Sequence, residues 1–479
     1  MTSVARPVVT RKRHTVRNQS ISSSRDDGRR SGVGSESGAL ALGGAHELVT
    51  EFLGTGAARG FAATPGGFSR RSPLSAEVML TLLLYMVADA GRRGYARLLD
   101  AFWDEAYVAG IALGSDEPVS AAAYCQARAK LDPQAVRRVL HGVAGAFDVK
   151  HGHRFRFHGR RLLAIDGTKL ILQRTRALWD AFGGMSSGYH PMTWISTLFD
   201  VVSKVPLDID IAPNSSNERA QLMRLLDRVG RDAILVLDRG FPSFDVFALL
   251  TLSQVDFVAR MRTDAFDAVT GFLASGEDDA YVDFAPPKTA ATRDDGPLRL
   301  RLVVTRRQGQ DPCVLVTTLD KRSFPAARIR EIYRLRWEIE EYYKLVQCAY
   351  FTQGQFHAQS PCGVEQEIYA QALFVAITRH LMAAASQVHD ATYAEVSQKG
   401  AILAVGRALT LLALDPDRAR SGNSLRRLLR RIAGARQPLR PDRHFPRRSF
   451  LPPRLWGPHG RRRTDPNHRK RKRLRERLA

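Results

Sequence analysis

The sequence predicts an α/β protein, with a mixed-sheet core interrupted by a β-rich insertion and preceded by a helical domain. Three observations predict it. Residues 45–150 carry apolar residues at helical spacing. From Arg160 onward, short apolar strands alternate with helices. Residues 264–322 then turn to short strands separated by polar, Pro-bearing segments.

Taken in order, residues 1–42 are rich in Ser, Arg and Gly and poor in large apolar residues, which predicts a disordered basic arm. Residues 43–152 form the helical domain, read as DNA-binding. LSAEVMLTLLLYMVADAG and YARLLDAFWDEAYVAGIAL repeat apolar residues with a helical period. The next helix opens with Ser120 in a capping position and sets Arg128, Lys130, Arg137 and Arg138 among apolar neighbours, which predicts a basic face. No helix-turn-helix pattern is sharp enough to name a recognition helix.

The core's first part spans 153–263. RRLLAIDGT reads as a strand ending in Asp166. WISTLFDVV and VPLDIDI, joined by Ser203-Lys204, read as an antiparallel pair. NERAQLMRLLDRVG is a helix ending at Gly230. DAILVLD is apolar almost throughout, as in a strand buried on both faces, and ends in Asp238. SFDVFALLTLS is a helix and VDFVARMR a strand. Within 264–322, YVDF, LRLRLVVT and CVLVTTL are the strands of the insertion. Helices resume at Pro325 and again at GVEQEIYAQALFVAITRHLMAAA, so 323–456 holds the core's second part and a helical C-terminal region. The last stretch, 457–479, is a basic tail: a solubilising segment on the bland reading, a phosphate-seeking one on the other.

Composition narrows the function classes. The 479 residues carry a formal net charge of +24, which points to a polyanionic partner, with nucleic acid foremost. No run of about 18 apolar residues is evident, and the N-terminus has no apolar stretch of the secretory kind. The expectation is therefore a protein of the reducing cytoplasm, at the nucleoid if its partner is DNA, and not of a membrane. The four cysteines, Cys125, Cys313, Cys348 and Cys362, have neither zinc-site spacing nor the density of a disulfide framework.

The stretch YRLRWEIEEYYKLVQ is the most informative. On a helix, Tyr333, Arg336, Glu340, Lys344 and Gln347 fall at i, i+3, i+7, i+11 and i+14 and share one stripe. A core helix would place apolar residues there. A carboxylate among cations suits a site holding a divalent metal against a phosphodiester, while a solvated face laced with ion pairs is the structural alternative. Two strands end in Asp, and ligands of open α/β sheets bind beyond the carboxyl ends of strands. If the strands are neighbours, Asp166 and Asp238 meet at one edge and Glu340 completes an oxygen-ligand set. Each Asp alone could simply form its turn. Arg239 could touch DNA or pair with a carboxylate. Trp337 suits packing more than stacking on a base, Glu218 suits a helix N-terminus, and His357 and Glu367 suit core or surface roles.

These residues resemble the DDE transposases of bacterial insertion sequences, in the IS-four branch. That branch carries a Tyr, two residues, Arg, three residues, Glu, six residues, Lys signature. Tyr333, Arg336 and Glu340 match it, Asp166 in AIDGT matches the first acidic position, and Asp238 in LDRGF the second. The resemblance extends over roughly residues 50–455, including the RHFPRRSFLPPRLW run. It implies an RNase H-like core holding two Mg²⁺ (or Mn²⁺) ions through Asp166, Asp238 and Glu340. It implies phosphate contacts from Tyr333 and Arg336, with transposon ends and target DNA as partners and a dimer in the synaptic complex. The chemistry implied is cut-and-paste: hydrolysis frees a 3′ hydroxyl, a hairpin forms in the better-known relatives, and the end then joins target DNA. The signature's Lys falls on Gln347, which carries no charge, and Lys344, one turn earlier, is the candidate substitute. Three alternatives stand beside an active transposase: a DNA-binding relic without catalysis, a metal-dependent nuclease without strand transfer, and a basic RNA-binding protein, for which no RNA module is visible.

Overall fold

The structure is a computed structural model. It describes residues 72–438 apart from 89–93, 186–187, 287–295, 308–309, 350–355, 416–417 and 419–422, together with Ala45, Glu47 and Phe68. The expected basic arm, the basic tail and the RHFPRRSFLPPRLW run lie outside the described residues.

One eight-stranded sheet organises the chain. Ahead of it lie the helices α1 (Ala76–Ala88), α2 (Tyr95–Val108), α3 (Ala121–Arg128) and α4 (Pro133–His151). Ser120 caps α3, its side chain accepting from the Ala123 N–H, and Asp132 caps α4 with Pro133 in the first turn. Then come β1 (Arg161–Ile171), α5 (Arg176–Phe182), β2 (Met192–Asp200), β3 (Val205–Pro213), α6 (Glu218–Leu226), β4 (Ala233–Leu237), α7 (Phe244–Leu252) and β5 (Asp256–Met261). Helix α6 stops at Leu226, short of the expected Gly230.

The sheet order is β3-β2-β1-β4-β5, extended by three further strands. Strands β1, β2 and β3 are antiparallel neighbours, while β4 and β5 run parallel to β1. This is the RNase H-like arrangement. Strand β4 is buried at every position, as its unbroken apolar run requires.

The stretch read as a β-rich insertion contributes α8 (Asp267–Ser275), β6 (Asp279–Phe284), β7 (Leu298–Arg307) and β8 (Gln310–Thr317). These strands are not a separate module. Strand β8 pairs antiparallel with β5, so the sheet continues without a break through β8, β7 and β6. Arg301 explains the union. It is fully buried, forms two 2.8 Å bonds to the Asp279 carboxylate, and donates to the carbonyls of Leu319 and Phe324, which lead into the next helix.

Helices α9 (Ala326–Leu335), α10 (Trp337–Lys344), α11 (Pro361–Val388), α12 (Gln398–Leu414) and α13 (Ser424–Gly434) complete the described chain, with a π-helical turn at Leu345–Ala349. Helix α11 contains an 18-residue window long and apolar enough to cross a membrane, which the sequence reading overlooked. That window is wholly buried inside the protein, between α4, α1, α13 and β3. A helix apolar on all sides is the central rod of a large core.

The helices expected to form a DNA-binding domain with a basic face pack against the later helices and the sheet, and of that face Lys130 and Arg138 are exposed. Helix α4 packs on α11 and β3, and α1 packs on α12 and α11, so the N-terminal helices share the core of the later ones. Two of the arginines expected to be exposed are structural. Arg137 grips Asp208 of β3 at 2.7 and 2.9 Å. Arg128 is buried and donates to Gln366 Oε1 (2.8 Å), Gly363 O (2.7 Å), Glu367 Oε1 (2.9 Å) and Tyr95 Oη (2.9 Å). Glu367 in turn accepts from the N–H groups of His357 and Ala358.

Replacing Arg128 with Met should therefore leave the Glu367 carboxylate buried without a cation and cost about 3–5 kcal/mol. Urea unfolding of the variant checks this, and a loss below about 1 kcal/mol would show the pair to be unimportant.

A second buried pair sets an acid limit. His151 of α4 and His380 of α11 stack edge-on, their ring centroids 4.8 Å apart. Burial pushes His380 down to about 3 and His151 down to about 4. Neither ring nitrogen of His380 has a hydrogen-bond partner among the described residues. A lowered folded pKa means that the stability is present above the ordinary histidine range and lost as pH falls through about 6.5 towards 4. The melting temperature should fall over that window, and His380→Leu should flatten the fall. Equal acid profiles for variant and parent would refute it.

Candidate active site

Two carboxylates meet at one edge of the sheet because β1 and β4 are parallel neighbours. Their pairing ends at Ile165↔Leu237, and the next residue on each chain is the aspartate: Asp166 on β1, Asp238 after β4. Asp166 does not end its strand, as the sequence reading had it. Strand β1 runs on to Ile171 against β2, with Asp166 opposite Thr197. Only its parallel partner stops there. Each aspartate also does what a turn former does: Asp166 Oδ1 accepts from the Gly167 N–H at 2.9 Å and Asp238 Oδ1 from the Gly240 N–H at 2.6 Å.

A kinked helical rod covers this edge. Helices α9 and α10 meet at Arg336, where the bonds Arg336 N to Tyr333 O and Ile339 N to Arg336 O, both 3.2 Å, tighten the turn. Arg336 is the hub. Its Nη1 lies 3.5 Å from Asp166 Oδ2, and its Nη2 donates to Glu340 Oε1 at 2.6 Å. Its guanidinium lies 5.8 Å from the Tyr333 ring centroid. Arg336 Nε is buried and has no acceptor among the described residues. Tyr343, buried on the same rod, donates its hydroxyl to the Asp166 carbonyl at 2.5 Å and fixes the strand beneath. Gln347 Nε2 donates to Thr168 Oγ1, two residues beyond Asp166, at 2.9 Å.

The structure thus brings Asp166, Asp238, Tyr333, Arg336, Glu340 and Gln347 to one edge, with Arg239 exposed in the turn after β4. Lys344 departs from the stripe. Helical side chains lean towards the N-terminus, and Lys344 finds Glu341 at 2.5 Å and the Trp337 ring at 4.9 Å one and two turns back. Trp337 is not a packing residue: it is partly exposed and donates to Glu341 at 2.9 Å. Glu338 faces away and pairs with Lys204 at 2.8 Å. His357 and Glu367 belong to the Arg128 network.

Sequence reasoning undervalued Glu218. It opens α6, and its carboxylate reaches the same edge. Gly240 shows how closely. A Cβ there would stand 2.5 Å from Glu218 Oε2 and 3.6 Å from Asp238 Oδ1. A Cβ at Gly167 would stand 3.3 Å from Glu218 Oε1. The neighbouring Arg219 ties down the loop after Asp238, donating to the carbonyls of Phe241 (3.2 Å) and Pro242 (3.0 Å).

Electrostatically the edge is short of positive charge. Burial pushes the Asp166 carboxyl up to about 7, and the nearby Asp238 and Glu218 add to the rise against Arg336 and the Gly167 N–H. Burial and Asp238 likewise raise Glu218. Such oxygens suit a hard divalent cation. As they stand, no three acidic, histidine or cysteine side chains among the described residues close into a metal cage. The Arg336 guanidinium lies between Glu340 and Asp166 and contacts both.

Residues 157–377, a little under half of the chain, match the model of the Transposase DDE domain, a span that contains all the site residues named above. The transposase InsG for insertion sequence element IS4 of Escherichia coli (strain K12) is 25% identical over 276 residues. That alignment covers 55% of this chain and 61% of the relative, so the chain spans under two thirds of the relative's length. A cryo-EM structure of the piggyBac transposase synaptic complex with hairpin DNA aligns over 80% of this chain and 84% of its own, at TM-score 0.44 and 12% identity, too distant to bear on the site. The domain match and the relative support a transposase of the DDE type, similar to that of element IS4.

The raised Asp166 pKa has a consequence for the metal-free protein. A carboxyl raised in the folded state contributes stability while protonated and loses it as pH rises through about 7. Asp166→Asn mimics the protonated form. In EDTA it should be more stable than the parent at pH 8, by a few kcal/mol at most, with the gap closing by about pH 4, where both forms are uncharged. Chemical denaturation at the two pH values checks this, and a gap independent of pH would contradict it.

Proposed function

We propose that this protein is an active DNA transposase that cuts at the ends of an insertion sequence and joins the freed 3′ ends to target DNA. The observation that carries the reading is the meeting of Asp166 and Asp238 at one sheet edge beneath a rod that presents Arg336 and Glu340. Asp166, Asp238 and Glu340 are the residues that would hold the two divalent ions, Mg²⁺ or Mn²⁺. Bound there, the ions would activate the attacking water or 3′ hydroxyl and steady the leaving oxygen of an in-line displacement.

The chain's own residues supply the rest. Arg336 has a buried donor without an acceptor among the described residues and a carboxylate it can release. A terminal phosphate placed against the guanidinium satisfies that donor and competes with Glu340, whose carboxylate is then free to turn to Asp166. In this reading DNA completes its own active site. Tyr333 flanks the same phosphate. Gln347 holds the rod to β1 through Thr168 and so takes a positioning role where a lysine would have supplied charge. Lys344 and Arg239, both outside the buried edge, would meet the DNA backbone beyond the cut. The net charge of +24 suits two DNA partners, ends and target, gripped by a dimer in the synaptic complex at the nucleoid.

Asp166→Asn, Asp238→Asn and Glu340→Gln should each abolish cleavage of end-containing DNA in Mg²⁺ while binding to that DNA persists. A gel assay that follows nicking, joining and retention together separates the readings. Nicking without joining would mean a nuclease, and binding without nicking by the parent chain would mean a relic.

A further inference from the structure

We propose that the exposed arginine face of α13 holds the phosphate backbone of duplex DNA at a distance from the cut. The choice of DNA rests on the transposase reading; the face itself lies apart from the active edge.

Helix α13 reads SLRRLLRRIAG. Leu425, Leu428, Leu429 and Ile432 are buried, and the helix packs on α11 and α12. The pattern leaves Arg426, Arg427, Arg430 and Arg431 together on the opposite side, and all four are exposed. None of them forms a side-chain hydrogen bond or ion pair among the described residues. Arg436, just beyond the helix, is by contrast paired with Glu395 at 3.3 Å. Arg430 bears on His389, another base, which burial and that arginine hold down.

Folding does not ask for this arrangement. Arg426 with Arg430, and Arg427 with Arg431, are like charges one turn apart, which destabilise a helix. Arg426 and Arg427 also lie in the first turn, where the helix dipole disfavours cations, and no acidic residue stands there to offset them. A merely solvated face interleaves both signs. Elsewhere arginines of this chain are drawn to carboxylates, as Arg137, Arg224 and Arg301 are. What suits the face is an external row of negative charge, and guanidinium forks match phosphate oxygens. A second copy does not suit it, because a two-fold contact would set arginine against arginine. The sequence beyond α13 keeps the same sign and ends in RRRTDPNHRKRKRLRERLA.

Helix α11 fixes where this DNA lies. Just before α11, the carbonyls of Phe356 and Gln359 accept from Gln173 and Thr175, which follow the end of β1 beyond Asp166. Just after it, Tyr393 donates to the Ser203 carbonyl in the turn between β2 and β3, level with the start of β1. Helix α13 is tied to this far end, where the Ser397 N–H donates to the Ala435 carbonyl at 2.7 Å. The 28 residues of α11 rise about 42 Å. DNA on α13 is therefore duplex on the order of ten base pairs from the catalytic edge.

Fluorescence anisotropy tests this with the full chain and a duplex of about 40 base pairs over a series of salt concentrations. The parent is compared with a variant carrying Arg426→Gln, Arg427→Gln, Arg430→Gln and Arg431→Gln. The salt slope of log affinity should become shallower by about 0.9 for each arginine that meets a phosphate, about 2 or more in all. End-containing and unrelated duplexes should weaken alike, by about tenfold or more near 0.15 M salt. Cleavage at saturating DNA should stay parental, and the variant should melt no lower than the parent, because repulsions have gone. Four Arg→Lys changes at the same positions should keep most of the slope. If the glutamine variant fails to fold, Arg426→Gln with Arg430→Gln should give about half the change. A parental slope in a folded variant would overturn the proposal and leave the transposase reading standing. So would a lower melting temperature with the slope unchanged, the signature of a structural role alone. A shallower slope in the variant of a chain that never nicks DNA would uphold the proposal and sink the transposase reading.

Discussion

The active edge is governed by a shortage of positive charge. Parallel pairing of β1 with β4 fixes Asp166 and Asp238 side by side, the direction of β3 adds Glu218, and the rod of α9 and α10 adds Glu340. Against these stands Arg336, placed between Asp166 and Glu340. Like charges gathered away from water raise one another's pKa and strain the fold that holds them. Such an arrangement has a use if ions and phosphates arrive together, because each then neutralises what the other leaves exposed.

The remaining architecture keeps that edge rigid. The sheet is continuous from β3 to β6, so the strands carrying the aspartates are braced on both sides. Arg301 locks the β6–β8 extension to the start of the rod, and Tyr343 and Gln347 fasten the rod to β1. Beneath, α11 is a buried apolar helix whose first turns hold Arg128 through Glu367 and Gln366. The N-terminal helices are thereby joined to the core by desolvated charge as well as by apolar contact. The rod ends in a π-helical turn at Leu345–Ala349, from which Gln347 reaches Thr168 of β1.

Much of this was legible in the sequence, for identifiable reasons. The strands around Asp166 and Asp238 announced themselves because buried parallel strands are apolar throughout. Tyr333, Arg336 and Glu340 stood out because an acid, a base and a phenol share one helical stripe where a core helix would carry apolar residues. Arg128 and Arg137 were misread as a basic face, since their partners Glu367 and Asp208 lie 239 and 71 residues away and no local pattern marks them. The β6–β8 strands read as a separate insertion because edge pairing of β8 with β5 leaves no local trace. Lys344 was placed by ideal helical geometry, which ignores the pull of a carboxylate one turn back. Glu218 was within reach: two antiparallel reversals after Asp166, the first through α5, return the chain to the direction of β1, and Glu218 opens the helix that follows β3.

The account stands on Arg336 giving up Glu340 when DNA arrives. A structure of the protein with its terminal DNA and Ca²⁺, which binds as a hard cation, measures this directly through the separation of Arg336 Nη2 and Glu340 Oε1, 2.6 Å in the DNA-free protein. The account predicts that this contact is broken, with Arg336 on a phosphate and Glu340 turned to an ion shared with Asp166 and Asp238. An intact Arg336–Glu340 pair, with the ions held elsewhere, would contradict it.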